Sequence, residues 1–234
     1  MIGVWTHVSS LSAIDCAVML GVGLLGLAVL WAAVLLLGAR GVVRFAKLPP
    51  QRIDPPAGLG GRSPKLSVLV AARDEALAIG ARVDNLAAQT GLDGGLEIVV
   101  ICDGCTDATA TIARERGDAL PEGVELRVVE LEVNRGKEEA VGIGAEVATG
   151  DIIALTDATT HWDDNVAALL IDGLLQPRVG AVSGRVLYRR RDGGVADGFS
   201  VYQRFVVAQR RGAPQSGLQT STSGACSAAW AELF

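Results

Sequence analysis

From Leu66 onward, short apolar runs alternate with segments of helical periodicity, and this alternation constrains the fold more than any other feature of the chain. The strand-like runs are Leu66–Ala72, 97–102 and 152–156. Their continuous apolar character is typical of strands buried on both faces of a sheet. Ile79, Val83 and Leu86, spaced by four and three, predict an amphipathic helix between the first two runs. We therefore predict an α/β fold with a mainly parallel sheet flanked by helices.

The rest of the chain after residue 100 continues this alternation. Helical patterns predict helices at 107–116, 136–149, 164–175 and 195–211. Alternation of apolar and charged residues predicts a strand nearer an edge at Val124–Leu131, and a further strand is predicted at 181–188. Several helices and strands in this order fit a single domain of residues 66–234.

Ahead of this domain, residues 16–38 contain no charged side chain. A helix needs about 20 such residues to cross the hydrocarbon layer, so we predict one transmembrane helix here, with residues 1–15 on the non-cytoplasmic side. A cleaved signal peptide is the weaker alternative, because the residues before the run include no Lys or Arg.

Basic residues follow the uncharged run at once, at positions Arg40, Arg44, Lys47 and Arg52. Positive charge beside a membrane helix marks the cytoplasmic flank, so we predict a protein of the cell (inner or plasma) membrane, in contact with membrane lipid, whose domain faces the cytoplasm. Residues 39–65 are rich in proline and glycine and are predicted to be a linker.

Charge and cysteine usage exclude two classes of protein. The net charge of −5 argues against nucleic acid as a partner, which would require a basic face. Of the four cysteines, only Cys102 and Cys105 have a spacing that suits a metal or a redox pair, and no second pair exists to complete a zinc site. Reduced thiols are the favoured interpretation.

Acidic residues follow three of the predicted strands: Asp74 and Glu75 after the first, Asp103 after the second and Asp157 after the run at 152–156. Ligands of open α/β sheets bind at the edge that these strand ends share. Carboxylates gathered there repel one another unless a cation intervenes, and a divalent metal holding a diphosphate would satisfy them. The alternative is that each acid serves only a turn or a helix cap.

Four stretches in chain order resemble the motif series of family-two glycosyltransferases, and the resemblance extends over residues 65–234. They are SVLVAARDE at 67–75, DGCTDAT at 103–109, NRGK at 134–137 and TGDIIALTDAT at 149–159. The resemblance implies a GT-A (Rossmann-like) fold that binds a nucleotide sugar. It implies that Ala71, Ala72 and Glu75 line the base pocket and that Asp103 accepts a hydrogen bond from the base. It also implies that Lys137 meets the phosphates.

The resemblance places Asp157 at the first position of the family's metal motif, with Thr159 where a second acid is common. It implies a divalent cofactor, Mg²⁺ or Mn²⁺, held by the carboxylate of Asp157 and weakly by Thr159, with the diphosphate and water as the other ligands. Asp163 and Asp164 follow closely, and we expect them to cap the next helix.

The implied reaction is transfer of a sugar from a nucleotide donor, with a uridine diphosphate sugar favoured, to a glycan or lipid-linked acceptor by inverting displacement. The family's general base lies in an acid-containing segment that is not found before Phe234, so the catalytic base is unassigned and the chain is expected to be cut short at its C-terminus. The alternative is a non-catalytic nucleotide-sugar-binding or membrane-assembly module without the base.

Overall fold

A computed structural model describes residues 21–36, 59–177, 179–186 and 224–234. The chain divides into two compact units, Met1–Pro50 with Gly212–Leu218, and Gln51–Arg211 with Gln219–Phe234. In the first unit, residues 21–36 form a helix (α1) whose side chains are exposed. No helix within the described ranges is both long and apolar enough to cross a membrane. The predicted span at 16–38 extends past the described part of α1, and the predicted helix at 195–211 lies outside the described residues.

The second unit contains the alternating strands and helices that the apolar pattern predicts. The strands are β1 (Leu66–Ala72), β2 (Leu96–Asp103), β3 (Val124–Leu131), β4 (Ile152–Asp157), β5 (Ala181–Ser183) and β6 (Ser227–Trp230). The helices are α2 (Ile79–Ala87), α3 (Thr109–Gly117), α4 (Lys137–Val147) and α5 (Val166–Leu174), with a 3-10 turn at Ala231–Leu233. The prediction of a strand through residue 188 is wrong, because β5 ends at Ser183 and Gly184, a poor strand former, follows it.

The described strands form one mixed sheet in the order β3-β2-β1-β4-β6-β5. The four strands from β3 to β4 are parallel, whereas β6 runs antiparallel to both β4 and β5. The predicted mainly parallel α/β sheet is therefore confirmed. Since parallel strands end on the same side, the loops after β1, β2, β3 and β4 share one edge, which we call the carboxyl edge.

Helices cover both faces of the sheet, as the alternation of side chains along a strand requires. Val68 and Val70 of β1 belong to the larger core cluster with α2, α3 and α5, whereas Leu69 points to the smaller cluster with α4. A Cβ on Gly144 would lie 2.7 Å from Cδ1 of Ile101, so glycine lets α4 pack directly on β2. This packing fixes the start of α4 at the carboxyl edge.

At the opposite edge, the buried side chain of Glu97 joins β1, β2 and the turn before β4. Its Oε2 accepts the backbone N–H of Thr149 at 2.7 Å and the hydroxyl of Ser67, whose Oγ accepts the N–H of Gly150 at 2.8 Å. Burial raises the pKa of Glu97, but these hydrogen bonds and the charge of Lys65 outweigh burial, so the pKa lies below its ordinary value. Glu97 is thus a structural carboxylate far from the carboxyl edge.

Candidate active site

Asp103, the last residue of β2, holds the loop that leads into α4. Its Oδ1 accepts the backbone N–H of Arg135 at 2.7 Å, and its Oδ2 accepts that of Gly136 at 2.9 Å. The side chain is 5% exposed. Gly136 has a φ of +90°, a conformation that favours glycine, and α4 begins at the next residue. Asp103 therefore fixes the position of Lys137, and each carboxylate oxygen retains a lone pair for a further donor.

Lys137 and Asp157 meet at the carboxyl edge. The Lys137 ammonium donates to Oδ1 of Asp157, and the two side chains are 53% and 38% exposed. A Cβ on Gly224, in the segment before β6, would lie 3.4 Å from Nζ of Lys137. Thr159 is exposed two residues after Asp157. Residues predicted from separate motifs, one for phosphate and one for metal, are thus brought into contact.

The loops after β1 and β2 are joined by the side chains of Asp74 and Asp107. Oδ1 of Asp74 accepts the backbone N–H of Thr106 at 2.7 Å, and Oδ2 of Asp107 accepts that of Ala76 at 3.1 Å. Asp74 has a φ of +52°, the one positive φ outside glycine in the described part of the chain. These bonds hold together the two loops that flank the predicted base pocket.

The residues predicted to line the base pocket lie at the end of β1, for Ala71 and Ala72, and in the loop that follows, for Glu75. Ala71 and Glu75 are half-buried and Ala72 is buried, while the backbone N–H of Glu75 donates to Oγ1 of Thr109 at 2.8 Å. The Cys105 thiol donates to the carbonyl oxygen of Ala72 at 3.4 Å. Ala72 and Asp103 are therefore at neighbouring strand ends, linked through the loop after β2.

Cys102 and Cys105 are free thiols. Burial, followed by the neighbouring Cys105, raises the pKa of Cys102 to about 12. Cys102 is consequently protonated near neutral pH, and it is not a ready thiolate ligand or nucleophile.

Two groups at the carboxyl edge present oxygen ligands that suit a divalent metal. Asp74, Cys105 and Asp107 place one ligand atom each within 4.8 Å of one another. The thiol is a poor ligand for Mg²⁺ or Mn²⁺, and both carboxylates already accept backbone N–H groups. Asp157 is half-exposed and already holds a cation, the Lys137 ammonium. Its carboxylate therefore accepts a cation at this edge, and its oxygen atoms are of the type that Mg²⁺ and Mn²⁺ prefer.

Arg82 on α2 and Gln89, two residues after the end of that helix, are residues that sequence reasoning missed. Arg82 lies three residues after Ile79 and next to Val83, so all three side chains are on the inward face of α2. This spacing in the sequence indicates that position 82 is buried. The prediction that Asp163 or Asp164 caps α5 is wrong. The N-cap of α5 is Asn165, without a side-chain capping bond, and Oε1 of the buried Gln89 instead accepts the N–H of Ala167 at 2.9 Å.

Comparison with known proteins identifies relatives that assemble sugars. Poly-beta-1,6-N-acetyl-D-glucosamine synthase of Staphylococcus epidermidis is 34% identical over 96 residues, which are 41% of this chain and 22% of that protein. Dodecaprenyl-phosphate galacturonate synthase of Rhizobium johnstonii is 35% identical over 103 residues, which are 44% of this chain and 30% of that protein. The matched regions thus span less than a third of either relative.

Solved structures with the same fold include nucleotide-sugar complexes. The mannosyltransferase PcManGT from Pyrobaculum calidifontis, in complex with GDP-Man and Mn²⁺, has a TM-score of 0.58 and 29% identity, covering 85% of this chain and 52% of that one. Glucosyl-3-phosphoglycerate synthase from Mycobacterium tuberculosis, in complex with Mn²⁺, UDP-Glc and phosphoglyceric acid, has a TM-score of 0.50 and 26% identity, covering 76% and 60%.

The model of the family described as Glycosyl transferase family 2 matches residues 67–228, more than half of the chain. This range includes the four motif stretches and β1 to β4, whose ends build the carboxyl edge. With the resemblance and the predicted mainly parallel α/β sheet both confirmed, the chain belongs to glycosyl transferase family 2.

Proposed function

We propose that this chain carries the donor-binding part of a glycosyltransferase that moves a sugar from a uridine diphosphate sugar to a glycan or lipid-linked acceptor by inverting displacement. One observation carries the proposal: the ammonium of Lys137 and the carboxylate of Asp157 meet at the carboxyl edge of a parallel sheet. A cationic group beside a metal-capable carboxylate is what a diphosphate leaving group requires.

Lys137 and Asp157 are proposed to bind the diphosphate of the donor and its metal ion. Asp157, assisted weakly by Thr159, would hold a Mg²⁺ or Mn²⁺ ion, which when bound neutralises charge on the diphosphate. Lys137 stands in the first turn of α4, where its ammonium and the free backbone N–H groups both favour phosphate. When the nucleoside diphosphate departs, Lys137 would stabilise the negative charge that develops on it.

The nucleoside is assigned to the loops after β1 and β2. Ala71, Ala72 and Glu75 would border the base, and Asp103 would accept a hydrogen bond from it through a lone pair that Arg135 and Gly136 leave free. In this arrangement the Asp103 carboxylate both binds the base and fixes the loop that leads to Lys137.

The acceptor is assigned to the side of the site near Gly224, because this residue lies beside Lys137 where the sugar of the donor would project. The curated relatives, a polysaccharide synthase and a prenyl-phosphate sugar synthase, support a glycan or lipid-linked acceptor. The general base is left unassigned. Of the acids near the site, Asp74, Asp103 and Asp107 already accept backbone N–H groups in the described structure.

A membrane location is part of the proposal. The uncharged run at 16–38 and the basic residues from Arg40 to Arg52 support one span with the catalytic domain in the cytoplasm, and a lipid-linked acceptor would be reached from there. Residues 1–15, 39–65 and 66–234 would then be the non-cytoplasmic end, the linker and the transferase domain.

Transfer of isotope tests the function directly. Membranes containing the chain are incubated with labelled UDP-glucose, UDP-N-acetylglucosamine, UDP-galacturonate or GDP-mannose, and label is measured in nucleotide-free sugar, lipid and polymer. We expect one uridine donor to be consumed in the presence of Mn²⁺, and Asp157→Ala to stop its consumption. Consumption of GDP-mannose alone would contradict the assignment of the nucleotide, and the absence of any donor turnover or binding would contradict the function.

A further inference from the structure

Arg82 is a buried cation without a carboxylate partner among the residues that the structure describes. Its side chain is 2% exposed, and its Nε has no hydrogen-bond partner in the same set of residues. Burial lowers the pKa of Arg82 to about 10, and the neighbouring thiol of Cys226 and carboxylate of Asp157 act against this shift. The guanidinium is thus charged near neutral pH. Keeping such a charge in the interior costs free energy, so the side chain must be held by specific contacts.

The contacts of Arg82 lead to one loop. Nη1 donates to Oδ1 of Asn85, and Nη2 donates to Oγ1 of Thr156 at 2.6 Å. The guanidinium also lies over the ring of Trp162, 5.0 Å from its centroid, which is within the range of a cation–π interaction. Thr156 immediately precedes Asp157, and Trp162 lies five residues after it.

Asn85 completes the connection on the far side of this loop. Its Oδ1 accepts the backbone N–H of Trp162 at 2.9 Å, and its Nδ2 donates to the carbonyl oxygen of Trp162 at 2.8 Å. The loop from Asp157 to His161, which we call the Asp157 loop, is therefore fixed at both ends by Arg82 and Asn85. Within the loop Thr159 and His161 are exposed, whereas Ala158 is buried in the core and the N–H of Thr160 donates to the carbonyl oxygen of Asp157 at 3.2 Å.

The same group reaches the segment before β6. Oγ1 of Thr156 donates to the carbonyl oxygen of Ala225 at 2.9 Å, and Nε1 of Trp162 donates to the same oxygen at 3.3 Å. Ala225 follows Gly224, which lies beside Lys137. Arg82 therefore connects the loop that carries Asp157 with the segment on the acceptor side.

We propose that Arg82 is a positioning residue for the transfer reaction, which sets the geometry of the Asp157 loop through Asn85, Thr156 and Trp162. This inference rests on the proposed function, in which Asp157 holds the metal and the donor diphosphate. A planar guanidinium donates in fixed directions to two acceptors while its face covers a ring. Lysine would supply the charge without this geometry, so Arg82→Lys should not restore the loop.

The first experiment measures the loop without any ligand. Hydrogen–deuterium exchange of the full chain is followed in a peptide covering the Asp157 loop and Trp162, with β1 as the internal reference. We expect exchange at the Trp162 amide to be about tenfold faster in both Arg82→Lys and Arg82→Met, because Asn85, whose Oδ1 accepts the Trp162 N–H, loses the hydrogen bond from Arg82 that holds it in place. The matched control is Arg114→Met, which removes an exposed arginine of α3.

The outcome of this exchange experiment decides the inference by itself. If the Asp157 loop in Arg82→Lys exchanges as slowly as in the wild type, Arg82 does not position it and the proposal is overturned. If Arg82→Met does not fold, Arg82→Lys decides, because it retains the charge and most of the volume. Equal acceleration in the loop and in β1 would mean general destabilisation, and this result also overturns the proposal.

The second experiment separates positioning from general binding. The affinity for uridine diphosphate is measured by calorimetry with and without Mn²⁺. We expect Arg82→Lys to weaken the Mn²⁺-dependent affinity about tenfold while the metal-free affinity is unchanged, because the altered contact lies beside Asp157. A uniform loss in both conditions would overturn the positioning role. If the wild type binds no nucleotide, the proposed function is wrong. The hydrogen–deuterium exchange experiment then still tests whether Arg82 positions the Asp157 loop.

Discussion

The ammonium of Lys137 and the carboxylate of Asp157 form an ion pair between the first residue of α4 and the last residue of β4. Both side chains are well exposed, so the pair contributes little to folding stability. A donor diphosphate with its metal would offer each group a stronger partner, phosphate oxygens for Lys137 and a divalent cation for Asp157. The pair is thus placed for binding rather than for stability.

Replacement of Lys137 should strengthen the binding of Mn²⁺ and weaken the binding of uridine diphosphate. In Lys137→Gln the ammonium no longer competes for Asp157, so we expect tighter binding of Mn²⁺ alone. Affinity for uridine diphosphate should fall about tenfold, because a charge-assisted contact with phosphate is lost. Both affinities are measured by calorimetry. The control is Lys65→Gln, at the opposite edge of the sheet, where Lys65 pairs with Glu125. Weaker binding of Mn²⁺ in Lys137→Gln would show that the Lys137 ammonium does not compete with Mn²⁺ for Asp157.

Replacement of Asp103 should loosen the loop before α4. Asparagine offers one acceptor oxygen where aspartate accepts two backbone N–H groups, from Arg135 and Gly136. Losing one such hydrogen bond costs about 0.5–1.5 kcal/mol, so Asp103→Asn should lower the free energy of unfolding and weaken nucleotide binding together. Denaturant unfolding and calorimetry measure the two effects. Exposed Asp118 supplies the control Asp118→Asn, and wild-type nucleotide affinity in Asp103→Asn would remove Asp103 from the site.

The stability of the fold should depend on the ionisation of Glu97. Its pKa is lower in the folded chain than its ordinary value near 4.5, so its contribution is present above that value and is lost as the pH falls through the folded pKa. Glu97→Gln should therefore reduce the free energy of unfolding at about pH 7, and the difference from the wild type should shrink in acid.

Unfolding in urea over a series of pH values tests this dependence, with Glu125→Gln as the control because Glu125 is exposed. The difference in the free energy of unfolding between the wild type and Glu97→Gln could instead stay constant from neutral pH to well below 4.5. This result would show that the hydrogen bonds to Glu97 do not stabilise its charged form.

The proposed orientation predicts which thiol is accessible from outside the cell. Cys102 is buried with a raised pKa, so the half-buried Cys105 is the useful reporter once Cys16→Ala, Cys102→Ala and Cys226→Ala are combined. A membrane-impermeant maleimide should label Cys105 only after the cells are permeabilised. Labelling of intact cells would reverse the proposed topology.

The parallel part of the sheet was predictable because β1, β2 and β4 are largely apolar runs and β3 alternates apolar with charged residues. Leu66–Ala72 and Val124–Leu131 begin and end where the sequence pattern places them, and the acid-bearing ends of β1, β2 and β4 share the expected edge. Periodicity fixes these elements locally, and the parallel connection of strands through helices then determines the edge.

The polar contacts were not predictable, because their partners come from elements distant in sequence. Asp103 accepts backbone groups of the loop before α4, which no side-chain pattern reveals. Gln89, which follows α2, accepts a backbone N–H at the start of α5, where we expected Asp163 or Asp164 to do so. The position of Arg82 on an apolar helix face does indicate burial, but its partners Thr156 and Trp162 are seen only in the folded chain.

The most direct test of the account is the metal dependence of nucleotide binding in Asp157→Ala, measured by calorimetry with uridine diphosphate in the presence and absence of Mn²⁺. Asp107→Asn is the control, because Asp107 belongs to the other group of possible metal ligands. The account predicts that Mn²⁺ strengthens binding in the wild type and in Asp107→Asn and has no effect in Asp157→Ala. An undiminished Mn²⁺ effect in Asp157→Ala, or its loss in Asp107→Asn alone, would contradict the assignment of the metal and the diphosphate to Asp157.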